Sequence, residues 1–358
     1  MKRELERVDI PGEHDARLRT WETVRTAFER RERVTWPRRH ARELALSAAA
    51  VAVVAAAFTP PGHSVVNSIR DAVGREKVVG VRNAHRELVR LPAGGRLLVQ
   101  SPRGPWVVQR DGSRRLLGRY AMASWSPHGK FLAAVRYRIE LVALDPKGNI
   151  RWARGRKQLI RFPRWSSEGY RIAYLSNDTL RVIWGNGEHD RGLGSADPSV
   201  APAWKPGTHV VAWVGADGVA RVADVDGSAP PARVATAQPV VVLAWANGEL
   251  SAVPSHLAGV PGTVVAAALR PGTNQVAAVT HFAGRSRLYL DERLLFSGAG
   301  RLSSVAWSPD GKWLVVGWPS ADQLVFVRVR PPKLYAVSNV TRQFGPPFPT
   351  IAGWCCTS

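Results

Sequence analysis

Histidine is the residue type in this 358-residue chain that most readily supports catalysis or metal binding, and nine histidines occur. They are scattered, and His128, His189, His209 and His281 are best interpreted as turn or surface residues. The sequence contains no Gly-x-Ser-x-Gly elbow, no His-Glu-x-x-His motif, no Walker loop and no dinucleotide-binding fingerprint. We therefore predict no catalytic residues, no cofactor and no bound metal.

Residues 224–227 read Asp-Val-Asp-Gly, which superficially resembles the start of a calcium-binding loop. Such a loop needs further oxygen ligands and a terminal glutamate, and these do not follow. Asp-Gly is also a preferred pair in tight hairpin turns. The segment is therefore predicted to be a turn and not a metal site.

Tryptophan could also have a chemical role, because exposed indoles form platforms on which sugar rings stack, and the chain has 14 tryptophans. Four of them hold equivalent positions in an internal repeat, which favours packing between repeats: Trp125, Trp165, Trp204 and Trp307. Four others are irregularly placed and stay candidates for exposure: Trp106, Trp152, Trp184 and Trp318.

The internal repeat is clearest at residues 304–316, which read SVAWSPDGKWLVV. A short apolar strand ends in tryptophan, and the proline, aspartate and glycine that follow favour a reverse turn before a second strand. Trp165 follows Trp125 by 40 positions and Trp204 follows Trp165 by 39, close to the period of about 40–45 residues in propeller blades. The predicted repeat anchors are Trp125, Trp165, Trp204, Trp245, Leu269 and Trp307, and the predicted turn glycines are Gly129, Gly169, Gly207 and Gly311.

Further strands are predicted after each turn, for example at residues 171–175, 179–184 and 191–193. Short strands at even spacing indicate an all-β fold, and a fixed period indicates blades arranged in a ring. Only 24 positions separate Trp245 from Leu269, so the blade headed by Trp245 can lack strands. The predicted fold is therefore a β-propeller of six or seven blades.

The unit Trp-Ser-Pro-Asp-Gly-Lys at residues 307–312, with the strand sequences at 171–175 and 313–316, resembles the TolB-type, WD-like propeller repeat of bacterial envelope proteins. The resemblance covers roughly residues 88–340. It implies a propeller with a binding role, and it implies no catalytic residues.

Ring closure needs a dedicated strand, since the first and last blades of a propeller otherwise leave open sheet edges. The first blade has predicted strands from residues 96–100 onwards, but no strand headed by tryptophan precedes them. Residues 348–354 end in small residues followed by tryptophan, as the repeat does. We predict that this segment pairs with residues 96–100 and closes the ring through Ile351 and Trp354, with residues 88–90 as the alternative strand.

The formal net charge of +22 could indicate nucleic acid or an anionic membrane surface as a partner. Lysine occurs only eight times, however, and arginine supplies the rest alongside abundant Ala, Gly, Pro and Val, as a GC-rich genome produces. The basic residues are spread, apart from a cluster before residue 43, so we predict no nucleic-acid partner.

Cys355 and Cys356 are the only cysteines, which excludes a disulfide framework and leaves a vicinal disulfide or a simple tail.

Residues 12–34 carry a sparse apolar stripe at helical spacing, formed by Leu18, Trp21, Val24 and Phe28. The stripe is compatible with an amphipathic helix on the inner face of a membrane and with a docking helix for a cytoplasmic regulator such as a sigma factor. Both interpretations need the same residues, so both stay open.

Residues 44–58 form a long uncharged run rich in alanine and valine, and a Thr-Pro-Pro-Gly sequence follows. The run is shorter than the roughly 20 apolar residues of a usual membrane span. We favour a single transmembrane helix at 44–59, with the Arg38-Arg39-Arg42 cluster holding the N-terminus in the cytoplasm. The alternatives are a cleaved signal peptide and a buried soluble helix. The first two interpretations both place the propeller outside the cytoplasm.

Four segments follow from these predictions: a basic cytoplasmic segment with an amphipathic helix at 1–43, a transmembrane helix at 44–59, a juxtamembrane helix and stalk at 60–85, and an extracytoplasmic propeller at 86–358. We predict a single-pass, membrane-anchored scaffold that binds or senses a protein or envelope ligand at the face bearing the loops between blades. One alternative is a transmembrane signalling protein of the anti-sigma kind. Another is a propeller hydrolase or lyase acting on envelope sugars or lactones, which would need converging carboxylates or a metal in the central channel.

Overall fold

The computed structural model describes residues 80–356. The predictions made for residues 12–34, 44–59 and 60–79 lie outside this range. Within it, no helix combines the length and the apolar character that crossing a membrane requires.

Seven antiparallel sheets, arranged as the blades of a propeller, contain the 26 strands of the described range. Blade 1 consists of β1 (Arg96–Ser101), β2 (Gly104–Val108), β3 (Arg114–Leu116) and the last strand of the chain, β26 (Thr350–Cys355). Blade 2 consists of β4 (Met122–Trp125), β5 (Leu132–Arg136), β6 (Glu140–Leu144) and β7 (Ile150–Gly155), and blade 3 of β8 (Ile160–Trp165), β9 (Arg171–Ser176), β10 (Thr179–Trp184) and β11 (Arg191–Ser195). Blade 4 consists of β12 (Ala203–Trp204), β13 (Val210–Val214), β14 (Ala220–Asp224) and β15 (Ala232–Val234), whereas blade 5 has only β16 (Val240–Ala246) and β17 (Glu249–Pro254).

The last two blades again have four strands each. Blade 6 consists of β18 (Thr263–Leu269), β19 (Val276–Phe282), β20 (Arg285–Leu290) and β21 (Arg293–Ala299), and blade 7 of β22 (Val305–Trp307), β23 (Trp313–Trp318), β24 (Gln323–Arg328) and β25 (Lys333–Val337). A 3-10 turn (Pro319–Ala321) and a short helix, α1 (Val340–Phe344), complete the described elements. The predicted all-β propeller is confirmed, with seven blades, and the shortened blade headed by Trp245 is blade 5.

Burial follows the position of each strand within its blade. The second strands are almost continuously apolar, as in β23, where all six residues are buried, because neighbouring blades cover both faces of the sheet. The outermost strands are exposed and charged, as in β7, where no residue is buried. Charges on an outer strand protect the sheet from pairing with another edge.

The repeat tryptophans lie at or next to the end of the first strand of their blades, and in blades 4, 5 and 7 the indole is hydrogen-bonded to the preceding blade. The indole Nε1 of Trp204 donates to the carbonyl oxygen of Arg164 at 2.9 Å, and that of Trp307 donates to Ala268 at 3.1 Å. In both cases the acceptor precedes the anchor residue of the preceding blade by one position. Trp245 makes the equivalent bond to the carbonyl oxygen of Ala203, so this contact recurs with the repeat in blades 4, 5 and 7. The Nε1 atoms of Trp125 and Trp165 have no hydrogen-bond partner in the described range.

The chain end closes the ring, as predicted. β26 pairs antiparallel with β1, with Leu97 opposite Trp354 and Val99 opposite Ile351. Trp354 is buried and its Nε1 donates to the carbonyl oxygen of Gly94 at 3.0 Å. The alternative strand at 88–90 does not form: the backbone N–H of Leu88 instead donates to the side chain of Gln343.

Residues 80–85, which the sequence assigns to the stalk, lie against blade 7. The backbone N–H of Val81 donates to Gln323 Oε1 at 2.9 Å, and His85 forms a parallel bridge with Val337. At the other end of the described range, Cys355 and Cys356 are joined as a vicinal disulfide, one of the two states that the sequence leaves open.

Candidate functional site

A cavity of about 770 Å³ lies between blades 2 and 3 and reaches the edge of blade 4. We call it the aromatic cavity. Its aromatic walls are Phe131, Trp152, Trp165, Tyr170 and Trp184, and its polar rim is formed by Arg151, Arg171, Asn186 and His209.

The position of the cavity follows from the turns that border it. Tyr170 belongs to the turn between the first and second strands of blade 3, and Asn186 to the turn between its third and fourth strands. In a four-stranded antiparallel blade, these two turns lie at the same end, opposite the connections that lead to the next blade. The sequence placed the binding face at the end bearing the loops between blades, whereas the aromatic cavity opens at the other end.

The turn between β10 and β11 forms one wall of the cavity because it packs closely against Trp152 and Trp165. Trp152 Nε1 donates to the carbonyl oxygen of Gly185 at 2.7 Å, which fixes the indole of blade 2 against this turn of blade 3. A Cβ atom added to Gly185 would lie 2.9 Å from Trp165 Cζ3 and 3.1 Å from the carbonyl oxygen of Gly169. Only glycine therefore lets the turn pack this closely on Trp165.

Some aromatic side chains of the cavity are packed in its interior, and others are exposed at its mouth. Phe131 stacks on Trp165 with ring centroids 6.4 Å apart and an interplanar angle of 24°, and Trp165 is buried. Tyr170 and Trp184, by contrast, are 71% and 44% exposed. His189 supports Trp184 from one side, with ring centroids 3.9 Å apart. Two aromatic side chains at the cavity mouth are therefore accessible to a ligand.

The charged groups at the rim are already paired with each other. Arg171 Nη2 contacts the two carboxylate oxygens of Asp226 at 2.7 and 2.6 Å, and His209 Nδ1 lies 2.5 Å from Asp226 Oδ2. His209, Asp224 and Asp226 could together offer ligands to a cation, but all three are exposed and Arg171 already neutralises Asp226. Asp224 accepts the backbone N–H of Asp226, so residues 224–227 form the predicted turn.

A second ion pair lies on the blade 2 side of the cavity. Arg151 Nη2 is 3.2 Å from Asp145 Oδ2. Burial opposes ionisation of Asp145, but hydrogen bonds from Asn149 and Lys147 and the charge of Arg151 outweigh it and lower the pKa of Asp145 below its ordinary value. At the exposed mouth of the cavity, the Tyr170 hydroxyl and the Trp184 indole N–H have no hydrogen-bond partner within residues 80–356. Deeper in the cavity, the Nε1 of buried Trp165 also has no partner in this range.

The central channel is lined by the innermost strand of each blade, which is β26 in blade 1 and the first strand in the other six, and these strands contact one another in a ring. They carry no aspartate or glutamate; their only charged residues are Arg161 and Arg164 of β8. A 370 Å³ cavity in the channel borders Arg164, which is surrounded by protein, and this burial lowers its pKa. The converging carboxylates that the hydrolase alternative requires are therefore not present on the channel strands.

The sequence and the structure agree unevenly on the site. The four irregular tryptophans separate as follows: Trp152 and Trp184 line the aromatic cavity, Trp106 is half-buried in blade 1, and Trp318 is buried between blades 6 and 7. Phe131 and Tyr170 carry no signal in the sequence beyond their position after a turn glycine. The predicted turn glycines Gly129 and Gly169 both have positive φ, and these two aromatic residues follow them closely.

Comparison with known proteins supports the fold. A WD40 family model, described as WD domain, G-beta repeat, matches residues 292–327, which cover blade 6 from its outer strand into blade 7. The C-terminal WD40 domain of Sif2 is similar in structure, with a TM-score of 0.54, 15% identity and coverage of 76% of this chain and 93% of that one. Hsv2 from Kluyvelomyces marxianus gives a TM-score of 0.49 at 9% identity, covering 65% of this chain and 89% of that one. No curated protein matches the sequence significantly.

Proposed function

We propose that this protein is a non-catalytic binding scaffold whose aromatic cavity receives an exposed apolar segment of a protein partner, rich in proline or aromatic residues. The observation that supports it is the cavity itself: 770 Å³ of space with five aromatic walls, whose rim charges are already paired. A site of this kind gains affinity from apolar contact and needs few polar groups for orientation.

The two free hydrogen-bond donors at the cavity mouth favour a ligand that carries hydrogen-bond acceptors. A polyproline II segment has no internal hydrogen bonds, so its carbonyl oxygens accept bonds from donors on the receptor, while its rings stack on aromatic side chains. The Tyr170 hydroxyl and the Trp184 indole N–H are suitably placed donors at the mouth, and Trp184 also offers a ring face.

A sugar is the second candidate ligand, and it is supported by the adjacent exposed faces of Tyr170 and Trp184. Stacking on two aromatic rings suits a pyranose as well as a proline. A sugar, however, also carries many hydroxyl groups that need polar partners, and the rim supplies few that are not already used.

The binding test uses the peptide Pro-Pro-Leu-Pro-Pro and a chitin tetrasaccharide as probes, with the Trp184 indole N–H followed by NMR. We expect the peptide to shift this resonance and Trp184→Ala to weaken binding at least tenfold. Phe282→Ala, which removes an aromatic residue of blade 6 that is 53% exposed, is the control and should bind as the wild type does. Response to the tetrasaccharide alone would favour the sugar, and response to neither probe would refute the cavity as the site.

We further propose that residues 44–59 anchor the protein in a membrane as a single-pass helix, with the N-terminus in the cytoplasm and a TolB-like propeller sensing the envelope outside. The support is the arginine cluster at residues 38–42 and the uncharged run that follows it. Reporter fusions should place residue 30 inside and residue 100 outside. A full-length protein recovered entirely from the cytoplasm would contradict this topology.

Transmembrane signalling is the extension of this proposal, with residues 12–34 binding a cytoplasmic regulator. It rests on the apolar stripe of that segment. The full chain should co-purify the regulator and the chain lacking residues 12–34 should not, whereas a simple membrane anchor would give the same result for both.

A further inference from the structure

Blade 5 interrupts the regular construction of the ring. It contains β16 and β17 only, whereas the other six blades have four strands each. β17 pairs with β16 along one side, from Glu249 to Pro254. Along its other side, alternate residues direct their backbone N–H and C=O groups away from β16. None of these outward groups has a backbone partner within the described range. An unpaired edge of this kind is a template for another strand.

The chain that follows β17 does not cover this edge. Residues 255–262 connect blade 5 to blade 6, and their backbone hydrogen bonds run from Ser255 to Pro239, from Val264 to Ser255 and from Val260 to Leu257. A Cβ atom on Gly259 would lie 3.9 Å from the carboxyl group of Glu292, which places this segment against blade 6. The connection therefore makes no backbone hydrogen bond to residues 249–254 and leaves the edge of β17 unpaired.

Blade 4 provides an apolar wall beside the edge. Leu250 and Ala252 of β17 pack toward blade 4, in a cluster that includes Val222. Ala232 of β15 pairs with Val222, so it lies on the same face of blade 4 but further out, where it is exposed. A strand added to β17 would place every second side chain against this wall. Small apolar residues at alternate positions fit it best.

Blade 6 supplies a polar feature on the opposite side. Ala277, Val279, Leu288 and Leu290 face blade 7, so strand alternation turns Thr280 and Arg287, which are paired across β19 and β20, toward blade 5. Thr280 is 1% exposed, and neither its Oγ1 nor Arg287 Nη1 has a hydrogen-bond partner. A buried guanidinium N–H is best satisfied by a carboxylate.

We propose that the free edge of β17 binds an extended segment of a partner protein, which adds to blade 5 as a third strand. The segment carries small apolar residues at alternate positions, which face blade 4, and an acidic residue on its other side, which pairs with Arg287. Main-chain hydrogen bonds provide the affinity of such strand addition, and the side chains on its two faces provide the specificity. This surface is separate from the aromatic cavity of blades 2 and 3.

The test measures amide hydrogen exchange of β17 in the full-length protein, with the synthetic peptide Val-Thr-Val-Glu-Val-Thr-Val, flanked by a lysine at each end, as the probe. We expect rapid exchange at the outward amides of free β17 and protection when the peptide is added. A second peptide with glutamine in place of glutamate should bind about tenfold more weakly, as expected for loss of one charge-assisted hydrogen bond.

Two protein variants test whether the glutamate of the peptide pairs with Arg287. Arg287→Gln should bind both peptides with the same affinity. Arg293→Gln is the matched control, because Arg293 is an exposed arginine of the same blade that borders the groove between blades 6 and 7, and it should retain the tenfold preference. An unchanged melting temperature in both variants would exclude a loss of folding.

Three results would overturn the proposed strand addition, and a fourth would overturn its acidic contact. Protection of the β17 edge in the free protein that is independent of concentration would show that residues 1–79 occupy it. Protection that rises with concentration, together with a dimer mass, would show that a second copy does. Absence of protection at millimolar peptide would show that the edge does not accept a strand, and equal binding of both peptides by the wild type would remove Arg287 from the site.

Discussion

Removal of the Trp307 side chain tests the role of the repeat tryptophans most directly. Trp307 is 5% exposed, packs in the cluster between blades 6 and 7, and donates a hydrogen bond to the carbonyl oxygen of Ala268. Replacing a buried tryptophan by alanine typically costs about 3–5 kcal/mol. Of this, about 1 kcal/mol belongs to the hydrogen bond, so Trp307→Phe, which keeps an aromatic ring, should lose much less.

Trp184→Ala is the matched control for Trp307→Ala, since Trp184 is 44% exposed at the rim of the aromatic cavity. Urea unfolding followed by circular dichroism should show a midpoint that falls strongly for Trp307→Ala, moderately for Trp307→Phe and little for Trp184→Ala. A loss below about 1 kcal/mol for Trp307→Ala would place it among surface substitutions, and the account of the blade contacts would then be wrong.

Three further predictions follow from the fold and the cavity. Truncation after Asn339 removes β26 and should lower the melting temperature by many degrees, whereas removal of only the last two residues should leave it unchanged. Gly185→Ala should weaken ligand binding at the aromatic cavity, because its Cβ would lie 2.9 Å from Trp165, while Gly155→Ala, which meets nothing within 4 Å, should have no effect; equal affinities measured by titration would contradict this. The side-chain hydrogen bond from Arg221 lowers the pKa of Asp217 to about 2, so its contribution to stability is present above about pH 4 and is lost as the pH falls toward 2. Asp217→Asn should flatten this part of the pH profile of unfolding, and an unchanged profile would show that the ion pair is too exposed to matter.

The sequence predicts the architecture well because the architecture is periodic. Tryptophan and glycine recur at the same positions of each blade, and the short interval between Trp245 and Leu269 indicates the blade that has two strands. The ending of residues 348–354 likewise identifies the closing strand. These features depend on residues that are close in sequence or repeated in it.

The aromatic cavity could not be predicted in the same way. Trp152 lies on the fourth strand of blade 2 and Trp184 ends the third strand of blade 3, and the distance between them depends on how closely the turn at Gly185 packs on Trp165. No local pattern encodes that distance. The sequence identifies both tryptophans as irregular, and only the packing of blade 2 on blade 3 shows that they share a wall.

Ring closure by β26 also determines when the sheet of blade 1 can be completed during synthesis. Blade 1 needs residues 96–101 from near the start of the propeller and residues 350–355 from its end, so its sheet stays one strand short until residues 350–355 have been synthesised. Joining segments so distant in sequence costs loop entropy that no earlier contact offsets, which makes such pairings slow. Blades 2 to 7 can assemble in order as the chain emerges from the ribosome. One edge of β1 stays unpaired during this time and is vulnerable to aggregation. Any factor that protects this protein during its synthesis is therefore most needed at blade 1.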